Sequence, residues 1–146
     1  TLSERNILQL VRNETINVIG QKSVGPHLSQ NNIFTARQEI LKLHMASSVE
    51  EYIVQLTMAT RNPDAYGEDI ASWIDYGVSP RGTIALDLCA RCNAFLHGKD
   101  FVSPDDVRSV LNDCFRHRII ISFEAEADGI TSDQTLDTIL QRVATA

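Results

Sequence analysis

The sequence has little of what marks a specialised chain. Its three cysteines, an odd number among 146 residues, do not make a disulfide framework. Basic residues are outnumbered, 13 Lys and Arg against 19 Asp and Glu. The resulting net charge of −6 argues against a domain whose own field draws nucleic acid or an anionic membrane. No apolar run approaches the ~20 residues of a membrane span, the longest β-branched run being Ile119, Ile120 and Ile121. No basic, apolar, small-residue leader is present, so a reducing cytoplasm is the expected compartment. Catalytic signatures are missing too. No Ser, Cys or Thr sits in a nucleophile elbow, no HExxH occurs, and Gly98 and Lys99 run into Asp100 instead of completing a phosphate-binding loop.

What remains is an ordinary globular composition, 43% apolar and 22% charged with seven Gly and four Pro, which excludes a disordered or collagenous chain. A chain of this length buries roughly 70% of the surface its unfolded state exposes, so a true core is expected. The pattern at Leu2 to Val11 is already helical at the start, with Thr1 or Ser3 as cap and Ile7, Leu8 and Val11 on one face. That start suggests a piece of a longer chain. Residues 19–32 lose periodicity around Gly20, Gly25, Pro26, Ser29, Asn31 and Asn32, which divides an N-terminal segment, 1–32, from a main body, 33–146.

The main body reads as helix after helix. Ile33, Arg37, Ile40, Leu41 and His44 form one stripe, and Ser48 with Glu51 predicts a capping box for a helix carrying Val49, Tyr52, Ile53, Leu56 and Thr60. Pro63 stops it. The acidic stretch Asp64, Glu68, Asp69, Asp75 surrounds a short apolar patch, Ile70, Trp73 and Ile74. The best delimited helix has Ser79 as N-cap, Pro80 at the first position and Gly98 as its stop, with Ile84, Ala85, Leu88, Cys89, Cys92, Phe95 and Leu96 as the predicted buried stripe. Ser103 and Pro104 start another, strengthened by Asp105 and Asp106, with Val107, Val110, Leu111 and Cys114 inward. Ile119 to Phe123 predicts a brief strand paired with Phe101 and Val102. Thr131 starts a last helix with Leu136, Ile139, Leu140 and Val143 on one face. The expectation is a mainly all-α bundle with at most one short two-stranded β element.

Few residues in this pattern point to chemistry. Cys89 and Cys92 form a CxxC inside a helix, with no preceding strand for a redox motif and no second CxxC for zinc, so all three thiols, Cys114 included, are expected to be buried and reduced. No metal site is expected. His27, His44, His97 and His117 have no ligand spacing, and Arg116, His117 and Arg118 read first as a solvated helix end that complements the dipole. Arg81 differs. A cation in the first turn of a helix is disfavoured by some 0.3–1 kcal/mol, so something should compensate it. An anion held by the guanidinium and the helix N-terminus would do so, with Gly82 removing a side chain that might block approach. Stacking on Trp73 or pairing with Asp75 would serve equally well.

The run from Gly77 to Val107, GVSPRGTIALDLCARCNAFLHGKDFVSPDDV, followed by FRHRIIISFEAEADGIT from Phe115 to Thr131, resembles the C-terminal lid of the MoxR family of AAA+ ATPases. Tyr52 to Leu56 with Ala59 to Arg61, Gly77 to Arg81, Gly98 to Val107 and Phe115 to Gly129 match the family's pattern in order and spacing, Phe115 standing where Leu is usual. The resemblance implies an AAA+ lid-type helical bundle beside an ATPase core. It gives Arg81 the role of the sensor-2 arginine that reaches the γ-phosphate of ATP, with Ser79 and Pro80 beside it at the nucleotide. It also implies ATP and Mg2+ in the full-length protein with none in this segment alone, a homo-oligomeric ring, a possible partner with a von Willebrand factor type A domain, and chaperone-like remodelling or cofactor insertion. Arg61 falls on a family motif without an assignable role beyond a contact with the core or a neighbouring subunit. A free-standing helical interaction module, with Arg81 against a protein carboxylate, is the alternative.

Overall fold

The computed structural model describes residues 2–17 and 28–145. The cap at Thr1, the loop residues 19–27 and His27 lie outside them. The chain divides into two units, residues 1–34 and 35–146. The first contains α1 (Leu2–Asn17), on which Ile7, Leu8 and Val11 are exposed, and the first residues of α2 (Gln30–Lys42). None of the α2 residues is buried, and the Ile33, Arg37, Ile40, Leu41 stripe packs into no core. His44 does not extend that helix but opens strand β1 (His44–Met45).

The second unit carries the core. Helix α3 (Ser47–Arg61) buries the predicted face, Val49, Tyr52, Ile53, Leu56 and Thr60. Its start lies one residue before the predicted capping box. Ala46 is the N-cap, its carbonyl accepts from the Val49 and Glu50 N–H groups, and Ser48 sits inside the first turn without capping it. A single 3-10 turn at Pro63–Ala65 leads to α4 (Glu68–Trp73), β2 (Ile74–Tyr76) and α5 (Pro80–Leu96). Strand β3 (Phe101–Val102), α6 (Pro104–Phe115), β4 (Ile120–Ile121), α7 (Phe123–Ala127) and α8 (Ser132–Arg142) complete it. The architecture is mainly α, as the periodicity implies.

The β pairing differs from the expectation. Two short pairs form instead of one: β1 runs parallel to β3, and β2 antiparallel to β4. Phe101–Val102 pairs instead with His44–Met45, and Ile120–Ile121 with Ile74–Tyr76, each partner lying far back in the sequence. Ser122 locks the second pair, its N–H donating to Trp73 O at 2.8 Å and its hydroxyl to Ser72 O at 2.7 Å.

The face that α5 buries is also not the one its large apolar residues suggest. Gly82, Leu86, Ala90 and Ala94 are buried, whereas Ile84 and Leu96 are 61% and 81% exposed. The small side chains of Ala90 and Ala94, one turn apart, let α6 approach closely, and its Val107, Leu111 and Phe115 fill the space. Close approach outweighs the transfer of Ile84 and Leu96 from water. On α8 the predicted stripe holds, with Leu136, Ile139 and Val143 buried and Leu140 packed against them. Thr131 caps α8 through Gln134, whose N–H donates to the Thr131 hydroxyl at 3.2 Å while its amide oxygen accepts from the Thr131 N–H at 2.8 Å.

Candidate functional site

The N-terminus of α5 is held in place from below by α3. Thr60 Oγ1 accepts the Val78 N–H at 3.0 Å, and Arg61 Nε donates to Val78 O at 2.6 Å. Gly77 permits this approach, since a Cβ there would stand 2.2 Å from Thr60 O. Arg61, to which the sequence assigns no definite role, therefore fixes the turn that delivers Ser79, Pro80 and Arg81. An arginine ending one helix 17 residues ahead of the carbonyl it binds leaves no local spacing signal.

Ser79 is the N-cap with extended backbone, and Pro80 occupies the first helical position. The Ser79 carbonyl accepts from the Gly82 N–H at 2.8 Å, while its hydroxyl makes no capping bond. Pro80 contributes no N–H. All three residues, Ser79, Pro80 and Arg81, are exposed. Arg81 makes no hydrogen bond, ion pair or ring contact among the described residues, so neither Trp73 nor Asp75 compensates it. Arg81 lies in the first turn, at the positive end, of a 17-residue helix, and nothing among the described residues offsets its charge.

Gly82 has a different reason from the one its position suggests. It is buried, and a Cβ would meet Val78 Cγ1 at 2.0 Å and Arg118 Cδ at 3.3 Å. The missing side chain makes room for Val78 and Arg118 and not for a ligand. The basic cluster is spent on the fold as well. Arg118 Nη1 donates to Cys114 O at 2.6 Å, and Arg116 Nε to Asn112 O at 3.1 Å, so both satisfy carbonyls at the C-terminal end of α6. Arg116 also pairs with Asp113 at 3.0 Å. His117 and His44 are exposed, and His97 Nδ1 lies 2.8 Å from Asn93 O at the end of α5.

Beside Pro80 lies a groove of about 340 Å³ between α3 and α5, lined by Val54, Thr57, Met58, Arg61, Pro80, Thr83 and Ile84. The sequence pattern misses it, because it treats Ile84 as core. Ile84 and Val54, 61% and 43% exposed, form its apolar walls. No group of three or more His, Cys, Asp or Glu among the described residues is arranged to hold a metal. The thiols depart from expectation: Cys114 is buried, Cys92 is partly covered and Cys89 is exposed, because the buried face of α5 is the one that carries Ala90.

The remaining charged contacts stabilise the bundle. Burial alone would raise the carboxyl of Asp106, but hydrogen bonds from Lys99, Ser103 and Asn93 outweigh it and leave the group at about 2. Asp69 is likewise drawn down to about 2, chiefly by hydrogen bonds from Arg142, whose Nη1 lies 2.6 Å from Asp69 Oδ1. That pair ties α4 to the end of α8. No helix among the described residues is long and apolar enough to cross a membrane.

Residues 68–139 match the family model of the AAA lid domain. The chain is 38% identical over 95 residues to Chaperone MoxR1 of Mycobacterium tuberculosis, covering 64% of this chain and 25% of that protein. It is 40% identical over 84 residues to Protein MoxR of Paracoccus denitrificans, covering 54% of this chain and 25% of that protein. A crystal structure of a candidate ATPase from Cytophaga hutchinsonii superposes with a TM-score of 0.78 at 42% identity, over 82% of this chain and 36% of the other. The chain thus spans a quarter of the length of these two relatives. With its helical architecture and the order of its motifs, it carries the lid domain of the MoxR family of AAA+ ATPases and belongs to that family.

Proposed function

We propose that Arg81 is the lid's contact with the γ-phosphate of a nucleotide held by an ATPase core, and that the lid changes its preferred angle when that phosphate is lost. The observation that carries this is the isolation of Arg81, an exposed guanidinium at a helix N-terminus with no partner among the described residues. The residue types fit a nucleotide's terminal phosphate: a planar donor fork and the positive end of a helix dipole are able to serve the same phosphate oxygens. Ser79 and Pro80 border that helix end, and the α3–α5 groove beside them offers an apolar surface of the kind a base or a core domain covers. Bound ATP with Mg2+ supplies a phosphoryl group whose presence or absence distinguishes two states. Arg81 does the sensing, by donating charge-assisted hydrogen bonds in one state only. The turn formed by Gly77, Val78 and Arg61 fixes the backbone at the start of α5 to the end of α3, so a pull on Arg81 is passed to both helices. Assembly of lids and cores into a ring, a von Willebrand factor type A partner and chaperone-like remodelling or cofactor insertion belong to the same proposal.

The test is Arg81→Ala in the full-length ATPase, with steady-state turnover and nucleotide affinity measured side by side. Turnover is expected to fall on the order of 10³-fold with affinity little changed, because the lost charge acts on the transferring phosphoryl group. Arg81→Lys should recover part of the rate, keeping charge without the fork. Turnover at the wild-type rate in Arg81→Ala would favour a protein-interaction module in which Arg81 meets a carboxylate.

A further inference from the structure

We propose that Cys89 and Cys114 form a modification site, a cross-helix thiol pair that a hydroperoxide converts into a disulfide bridging α5 and α6. The three cysteines of the chain converge on one place. With Asn93, Leu96, Val110 and Asp113 they line an open groove of about 300 Å³ between the two helices. The Cys114 thiol lies 3.9 Å from the carbonyl of Ala85, one turn before Cys89 on α5, which places it at the same stretch of that helix. Cys89 is exposed and Cys114 is 4% exposed. The pair thus joins a thiol open to solvent to one sheltered behind it.

Cys92 is the competing partner, and helix geometry disfavours it. Residues three apart on an intact helix have Cβ atoms about 5–6 Å apart, whereas a disulfide needs about 3.5–4.5 Å. A bond between Cys89 and Cys92 would unwind a turn of α5. Cys89 is the exposed thiol and so the one that meets the oxidant, while burial pushes the Cys114 thiol up to about 12 and the Cys92 thiol above its ordinary value.

The chemistry closes in two steps. The Cys89 thiolate attacks one peroxide oxygen and the O–O bond breaks, giving a sulfenic acid and, after protonation, water or an alcohol. The Cys114 sulfur then attacks the Cys89 sulfur and the S–O bond breaks, its proton leaving with the hydroxide as a second molecule of water. Two thiols are oxidised by two electrons and one peroxide is reduced. This site stands apart from the nucleotide proposal, although the bridge would fix α5, the helix that carries Arg81, against α6.

The test uses the reduced, purified protein treated with hydrogen peroxide, blocked with N-ethylmaleimide and digested with trypsin without reduction. Arg81, Arg91, Lys99, Arg108 and Arg116 place each cysteine in its own peptide, 82–91, 92–99 and 109–116, so every linkage reads out separately by mass spectrometry. The expected product is monomeric protein in which 82–91 is joined to 109–116 and two of the three free thiols are lost. Cys92→Ser should form the same bridge, and Cys89→Ser, a change at an exposed position, should form none while keeping its far-ultraviolet circular dichroism. A link between 82–91 and 92–99, a dimer joined through Cys89, or Cys89 oxidised to the sulfinic acid with Cys114 still alkylatable would each overturn the proposal.

Discussion

Asp106→Asn tests the most heavily bonded group in the core. One oxygen of Asp106 accepts the Ser103 N–H at 2.9 Å and its hydroxyl at 2.6 Å, which forms the reaching-back half of a capping box on α6. The other accepts Asn93 Nδ2 at 2.9 Å and Lys99 Nζ at 2.8 Å. An amide can satisfy Ser103 with its oxygen, but its NH2 then faces two donors. Lys99, 38% exposed, can turn to water, whereas the half-buried Asn93 cannot do so fully. Removing charge-assisted bonds of this kind costs about 2–3 kcal/mol in total. A second signature follows from titration. The Asp106 carboxyl sits at about 2 in the folded chain, against about 3.9 for an unfolded Asp. Because its folded value is depressed, the stabilisation is fully present above about pH 4 and lost as pH falls towards 2, a step of about 2 kcal/mol. Asp106→Asn lacks that step. Asp69 titrates in the same window in both proteins, so the readout is the difference between their stability curves. Urea unfolding followed by circular dichroism from pH 7 down to about pH 2 measures it. A variant within about 0.5 kcal/mol of wild type at pH 7, or one that loses stability in acid as steeply as wild type, would refute the reasoning.

Tyr52→Phe should leave stability unchanged or raise it by about 1 kcal/mol, because the Tyr52 hydroxyl is buried without a hydrogen-bond partner among the described residues; a loss larger than that in urea unfolding would reveal a partner. Gly77→Ala should destabilise by about 3 kcal/mol, since a Cβ 2.2 Å from Thr60 O must displace backbone on one side or the other, and a melting temperature equal to wild type would contradict the close approach.

The sequence by itself determined the starts of α5, α6 and α8 and the buried stripes of α3, α6 and α8, because these depend on contacts within a turn or two. Ser79 and Pro80 start α5, Gly98 ends it with φ of +66°, Ser103 and Pro104 start α6, and Thr131 starts α8, each through residue chemistry that acts locally. The same local order of motifs made the family legible, and with it the candidate role of Arg81. Tertiary structure decided what depends on another segment. The buried side of α5 was chosen by how closely α6 can approach, so Ala90 and Ala94 went inward while Ile84 and Leu96 stayed out, which also exposed Cys89 and opened the groove beside Pro80. The strand partners were set by segments far away in sequence, His44–Met45 for Phe101–Val102 and Ile74–Tyr76 for Ile120–Ile121. Gly82 serves Val78 and Arg118, and Arg61 holds Val78, through contacts spanning 17 residues or more in two of the three cases, beyond the reach of any helical or strand period. The isolation of Arg81 is of the same kind: only the folded positions of Trp73 and Asp75 could establish that neither touches it.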